Sequence, residues 1–146
     1  MIEPDPSSAV VSRIMPAQPS VVYDAWTDPD ALAEFMSPAP AVSAVVECDP
    51  RVGGRLRIDM IDPEGVVRIV GEYLELDPPR RLRFTWNTSF GGGFNSLVTV
   101  TLQPHGSQET MMTIEHSQLP PQWSADHQQG WTRIAELLGA RLAERP

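Results

Sequence analysis

The sequence predicts an α+β fold: a seven-stranded, curved antiparallel sheet around one long C-terminal helix, with two short helices after the first strand. Three observations carry this expectation. His127, Trp131, Ile134, Leu138 and Leu142 recur at spacings of four, three, four and four, one stripe of an α-helix over Ser124–Arg145. Between Ala41 and Ser117, six strand-like segments are separated by short turns bearing Gly, Pro or Asp, which joins neighbours antiparallel. Asp28-Pro29 splits the apolar stretch after the first strand into two helices too short to stand without packing partners.

Residues 1–8 read as a flexible tail and 9–146 as a single domain. Ala9–Met15 is the first strand, ended by Pro16 and Pro19. Ser20 is placed as the N-cap of the helix VVYDAW, and Asp30 as the cap of ALAEFM, which stops before Pro38. Ala41–Cys48 is a strand, and DPRVGG a turn. Arg55–Ile61 alternates, with Leu56, Ile58 and Met60 against Arg55, Arg57 and Asp59. Asp62-Pro63-Glu64-Gly65 is a hairpin turn leading into Val66–Leu76. In that strand Arg68 and Glu72 share one face, and Gly71, Tyr73 and Glu75 the other. Arg81–Asn87 sets Leu82, Phe84 and Trp86 on one side. Phe90–Phe94, with its three glycines, is a flexible loop, and Asn95–Leu102 aligns Ser96, Val98, Val100 and Leu102. Pro104–Gln108 is a turn, and Glu109–Ser117 puts Met112, Ile114 and His116 on one face. The final helix is roughly 33 Å long, and its apolar stripe requires the sheet as partner.

Composition narrows the function. A hydrophobic share of 41% marks a globular chain. No apolar run approaches membrane-spanning length, and the acidic, proline-bearing start lacks the basic opening of a secretory signal, so a cytoplasmic location is expected. The single cysteine, Cys48, excludes an internal disulfide and reads as an inert thiol. The net charge is −8, and all 11 basic residues are arginine. Schiff-base chemistry on lysine is excluded, and nucleic-acid binding is disfavoured. The arginines at 51, 55, 57, 80, 81 and 83 read as a solvated strand face.

Ordered features along the chain resemble a known family. They are Gly53-Gly54, Pro63 to Gly65, Gly71 to Glu75, Pro78-Pro79 and Phe84 to Trp86. Near the start Pro19, Val22, Ala25, Trp26 and Asp28-Pro29 join them; near the end so do Thr110–His116, Pro120, His127 and Gly130-Trp131. Over about residues 9 to 142 the chain resembles the activator of heat-shock-protein-90 ATPase homologue (AHSA-like) family, within the START-like, SRPBCC or Bet v-like superfamily. Phe35 departs from the pattern, where tryptophan is frequent. The resemblance implies a helix-grip fold with a cavity between helix and sheet. It also implies apolar ligands, but supplies no catalytic motif.

Several residues have two readings. His116 and His127 are the candidate catalytic pair, an acid–base or ligand-polarising couple at one cavity mouth; the competing and favoured reading is a hydrogen-bonded tie between helix and last strand. Arg68 and Glu72 form either a buried pair facing a ligand or, the favoured reading, a solvated ladder. Gly130, costly inside a helix, either admits the sheet or leaves room beneath the helix. GGGFN at 91–95 reads as a plain hairpin, a gate or, least, a phosphate cradle. No metal site and no cofactor are expected.

The favoured function is binding of an apolar small molecule or lipid between sheet and helix. The expected lining is Ile58, Met60, Leu82, Phe84, Trp86, Val98 and Val100 from the sheet, Met112, Ile114 and His116 from its last strand, and His127, Gly130, Trp131 and Ile134 from the helix. Two alternatives stand beside it: a cyclase- or hydrolase-like enzyme using His116 or His127, and a co-chaperone-like or stress-response interaction module. Monomer and homodimer are both open, since sheet edges invite pairing.

Overall fold

The computed structural model describes residues 6–39, 41–88 and 94–144. In chain order the elements are β1 (Ala9–Met15), α1 (Pro19–Trp26), α2 (Pro29–Phe35), β2 (Ser43–Cys48), β3 (Arg55–Asp62) and β4 (Gly65–Asp77). There follow β5 (Arg81–Thr88), β6 (Phe94–His105), β7 (Glu109–Ser117), a 3-10 turn at Pro121–Trp123, and α3 (Ser124–Ala143). The strands form one antiparallel sheet in the order β1-β7-β6-β5-β4-β3-β2. The two helices after the first strand and the long helix all lie against it, the α+β helix-grip arrangement expected. The glycine-rich loop at 90–93, read as a hairpin, gate or cradle, lies outside the described residues.

Besides shifts of one or two residues at other strand and helix ends, three boundaries differ from expectation for a physical reason. Helix α1 starts at Pro19 with Gln18 as N-cap, not after Ser20. Helix α2 is capped by Asp28, whose carboxylate accepts the Asp30 N–H at 3.0 Å, with Pro29 leading the helix; the cap expected at Asp30 is two residues too late. One cause covers both: proline's fixed φ and missing N–H suit the first helical position, so the cap precedes it. Strand β6 runs through Pro104 to His105 rather than turning there. Pro104 is tolerated because its nitrogen points as that of Leu102 does, toward the β5 side, and Leu102 already reaches Arg80, before β5 begins at Arg81.

Strand β4 is where alternation misleads. Tyr73 pairs with Phe84 and Glu75 with Arg83, so Leu74 is an extra residue, a bulge. Val67, Ile69, Gly71 and Tyr73 face inward before it; Leu76 faces inward after it. Glu75 therefore lands on the outer face beside Arg81 and Arg83, not with Gly71 and Tyr73. Arg68 also points outward and pairs with Asp59 at 2.8 Å, with Arg57 on the same carboxylate, while Glu72 is exposed. The outer face is thus an ion-paired, solvated surface. Gly71 is required by a close approach: a Cβ there would lie 1.9 Å from the Thr85 carbonyl oxygen.

The centre of the inner face is a closed core. Trp26 of α1 lies over it, with ring centroids 5.3 Å from Phe35, 6.4 Å from Phe84 and 6.3 Å from Trp131. Leu32, Phe35 and Met36 complete the plug, all buried. An ion pair between Arg141 and Glu34 joins the C-terminal half of α3 to α2. No helix among the described residues is long and apolar enough to cross a membrane.

Candidate functional site

Three hydrogen-bonded ties fasten the N-terminal half of α3 on one side. Ser124 donates its hydroxyl to the Pro6 carbonyl at 2.6 Å. The Gln128 amide acts like a short strand against β1: it accepts the Val10 N–H at 2.9 Å and donates to the Val10 carbonyl at 2.7 Å. Trp131 donates its indole N–H to His116 Nδ1 at 2.9 Å. All three ties fall on the β1–β7 side. Toward β3, β4 and β5 the helix stands off, and a cavity of about 460 Å³ opens there, within the range that holds a small molecule.

The cavity is layered. Its buried floor and roof are Ile69, Trp86 and Thr88 from the sheet and Trp131 and Ile134 from α3. Met60, Val67, His127 and Gly130 form half-buried sides, and Pro38, Ala39 and Ala41 close one end after α2. Asp62, Asp126, Gln129 and Arg133 stand at the rim. A Cβ on Gly130 would find no heavy atom within 4 Å, so this glycine leaves room rather than admitting the sheet. It does so at a helix-propensity cost of about 1 kcal/mol against alanine.

The two histidines meet, and their hydrogen bonds fix their states. Ser96 donates its one hydroxyl proton to the Trp86 carbonyl at 2.8 Å. Its 2.6 Å contact with His116 Nε2 therefore requires that nitrogen to carry the proton and donate. An indole N–H only donates, so His116 Nδ1 accepts from Trp131. His116 is thus a neutral Nε2–H imidazole with both nitrogens engaged. Burial, helped by the charge of His127, pushes its pKa down to about 3. His127 stands edge-on to it, ring centroids 5.0 Å apart, and donates from Nδ1 to the Trp123 carbonyl at 2.8 Å.

The structure sorts the expected lining into two groups. Met60, Trp86, His127, Gly130, Trp131 and Ile134 line the cavity. Ile58, Leu82, Phe84, Val98 and Val100 lie in the closed core, as do Met112, Ile114 and His116; Trp26 covers Phe84, and Trp131 with His127 covers His116. Val67 and Ile69 were legible as inward-facing residues from their shared parity with Gly71 and Tyr73, but not as cavity residues. Asp62, Thr88, Pro38, Ala39 and Ala41 carried no local signal, since they lie at strand ends and between elements. Cys48 is half-buried; it donates weakly to the Thr27 carbonyl at 3.8 Å, and burial pushes its thiol pKa up. Among the described residues, no three His, Cys, Asp or Glu side chains converge as metal ligands.

A curled antiparallel sheet, a long helix gripping it and a cavity between them define a START-like, helix-grip protein. Within that class the chain belongs to the family described as activator of Hsp90 ATPase homolog 1-like proteins, whose profile matches residues 16–143. A crystal structure of a protein from Chromobacterium violaceum superposes with a TM-score of 0.82 at 26% identity, covering 95% of this chain and 99% of that one. An AHSA1 protein from Silicibacter pomeroyi shares the fold with a TM-score of 0.77 at 23% identity, over 93% and 97% of the two chains. CalU16 from Micromonospora echinospora shares it with a TM-score of 0.71 at 23% identity, over 94% and 76%. A search of curated proteins gave no match.

Proposed function

We propose that this protein binds an apolar small molecule in the cavity beneath the N-terminal half of α3. The observation that supports this reading most is the 460 Å³ space itself, walled by Trp86, Trp131, Met60, Ile69 and Ile134 and kept open at Gly130. Apolar walls that water wets poorly yield free energy when a ligand covers them, at about 25 cal/mol per Å² of apolar surface. The reading places the molecule in the cytoplasm as one ligand-binding domain over residues 9–146.

His116 takes no acid–base role in this reading, because both of its nitrogens are committed inside the fold. His127, at the cavity wall, is the histidine that meets a ligand. A co-chaperone role draws on family membership alone. The test is titration with the neutral fluorescent probe N-phenyl-1-naphthylamine. Saturable enhancement that is lost in a cavity-filling Gly130→Leu variant is expected; no enhancement at any concentration below probe solubility contradicts the proposal.

A further inference from the structure

The charge pattern of the cavity mouth selects among apolar ligands, an inference that rests on the cavity being a ligand site. Two carboxylates face the opening from opposite walls, Asp62 from the end of β3 and Asp126 from the first turn of α3. One Asp62 oxygen accepts the Glu64 N–H at 2.7 Å, which fixes the carboxylate in place. The Asp126 carboxylate offsets the partial positive charge of the helix end, so that end presents no net anion site. The one guanidinium at the rim, Arg133, is paired with Glu136 at 3.0 Å, outside the cavity. Two carboxylates against this one shared guanidinium leave the mouth net negative. The chain as a whole carries −8, so the far field adds to the local one.

The deep walls offer the complement. The Trp131 N–H is spent on His116, and His116 and the Ser96 hydroxyl are spent on each other and on Trp86. Apart from the Thr88 hydroxyl, the floor presents ring faces and aliphatic carbon to an apolar body. The indoles of Trp86 and Trp131, with centroids 5.0 Å apart, form one continuous aromatic wall.

We infer that the cavity takes an apolar, ring-sized body carrying a cationic, ammonium-type end, the body against the wall formed by Trp86 and Trp131 and the charge at Asp62 and Asp126. A carboxylate-bearing lipid or acid of the same size is disfavoured by the same two groups.

The test uses three probes with one body: 1-naphthylmethylamine, 1-naphthylmethanol and 1-naphthoate. Each is titrated against the whole chain by calorimetry at pH 8, where an ordinary imidazole is neutral. At low salt the amine binds about threefold to fivefold tighter than the alcohol, and the acid weaker than the alcohol by a similar factor, as partly exposed charge pairs give. The preference shrinks at 300 mM salt through screening. In the Asp62→Asn and Asp126→Asn double variant the amine falls to the level of the alcohol measured on the same variant. Alcohol binding with the acid equal to or tighter than the amine overturns the cationic class and leaves the apolar cavity standing. An amine preference unaltered in the double variant overturns the assignment to these aspartates. Absence of binding by all three overturns the cavity reading, and this inference with it.

Discussion

Trp131 and His116 are joined by a buried 2.9 Å hydrogen bond that crosses from the long helix to the last strand. The bond joins the element that roofs the cavity to the core that supports it. Replacing Trp131 by Phe removes the donor to His116 Nδ1 and leaves a buried acceptor unmet. The expected cost is about 2–3 kcal/mol, from the unsatisfied nitrogen and the lost ring volume. Urea denaturation with an unchanged m-value measures it; a change below about 0.5 kcal/mol would show that the bond contributes little.

The same network sets a pH dependence. His116 is neutral in the fold with a pKa near 3, and titrates near 6.5 when unfolded. The unfolded chain therefore takes up the proton first as pH falls. Stability from this group is fully present above about pH 6.5 and is lost progressively from there toward pH 3, by up to about 1.4 kcal/mol per pH unit. His127 faces the ring at 5.0 Å, and Ser96, Trp86 and Trp131 surround it, so no carboxylate is among these neighbours to offset the charge. Between pH 6.5 and 5, before most carboxylates protonate, His116→Gln flattens the stability slope by nearly one proton. Equal slopes for both proteins would refute the assignment.

Two glycines respond in opposite senses to the same substitution. Gly130→Ala meets open space and gains helix propensity, so it stabilises by about 0.5–1 kcal/mol. Gly71→Ala drives a methyl group into the Thr85 carbonyl oxygen and destabilises by about 2 kcal/mol or more. Thermal melts of the two variants decide it, and a destabilised Gly130→Ala would mean that the space beneath α3 is not open.

Filling that space is expected to separate binding from folding. Gly130→Leu projects a side chain toward Trp86 and Met60, and probe affinity falls by about tenfold or more while the melting temperature holds or rises. Undiminished affinity would move the ligand elsewhere.

Much of this architecture is readable from residues alone. The Trp131, Ile134, Leu138 and Leu142 stripe is buried along α3, and Leu82, Phe84 and Trp86 face inward together because period-two alternation survives in β5. Alternation fails in β4, where the bulge at Leu74 turns Glu75 outward, and no local sequence signal marks that extra residue. The site was legible only in part, for a different reason. Apolar residues lining a cavity and apolar residues filling a core have the same composition and periodicity; what separates Met60 from Ile58 is whether a bulky neighbour such as Trp26 lies above. That is a property of packing in three dimensions. Gly130 was the one local hint of room, since a glycine inside an otherwise strong helix needs a reason.

The most direct test of a ligand-binding cavity under α3 is residue-resolved NMR of the whole chain titrated with 1-naphthylmethanol. Saturating shifts are expected at the Trp86 and Trp131 indole N–H groups and at the Met60, Val67, Ile69 and Ile134 methyls, with Val100 and Leu102 in the closed core unmoved. Shifts confined to the outer face around Arg57 and Arg68, or none up to probe solubility, would contradict it.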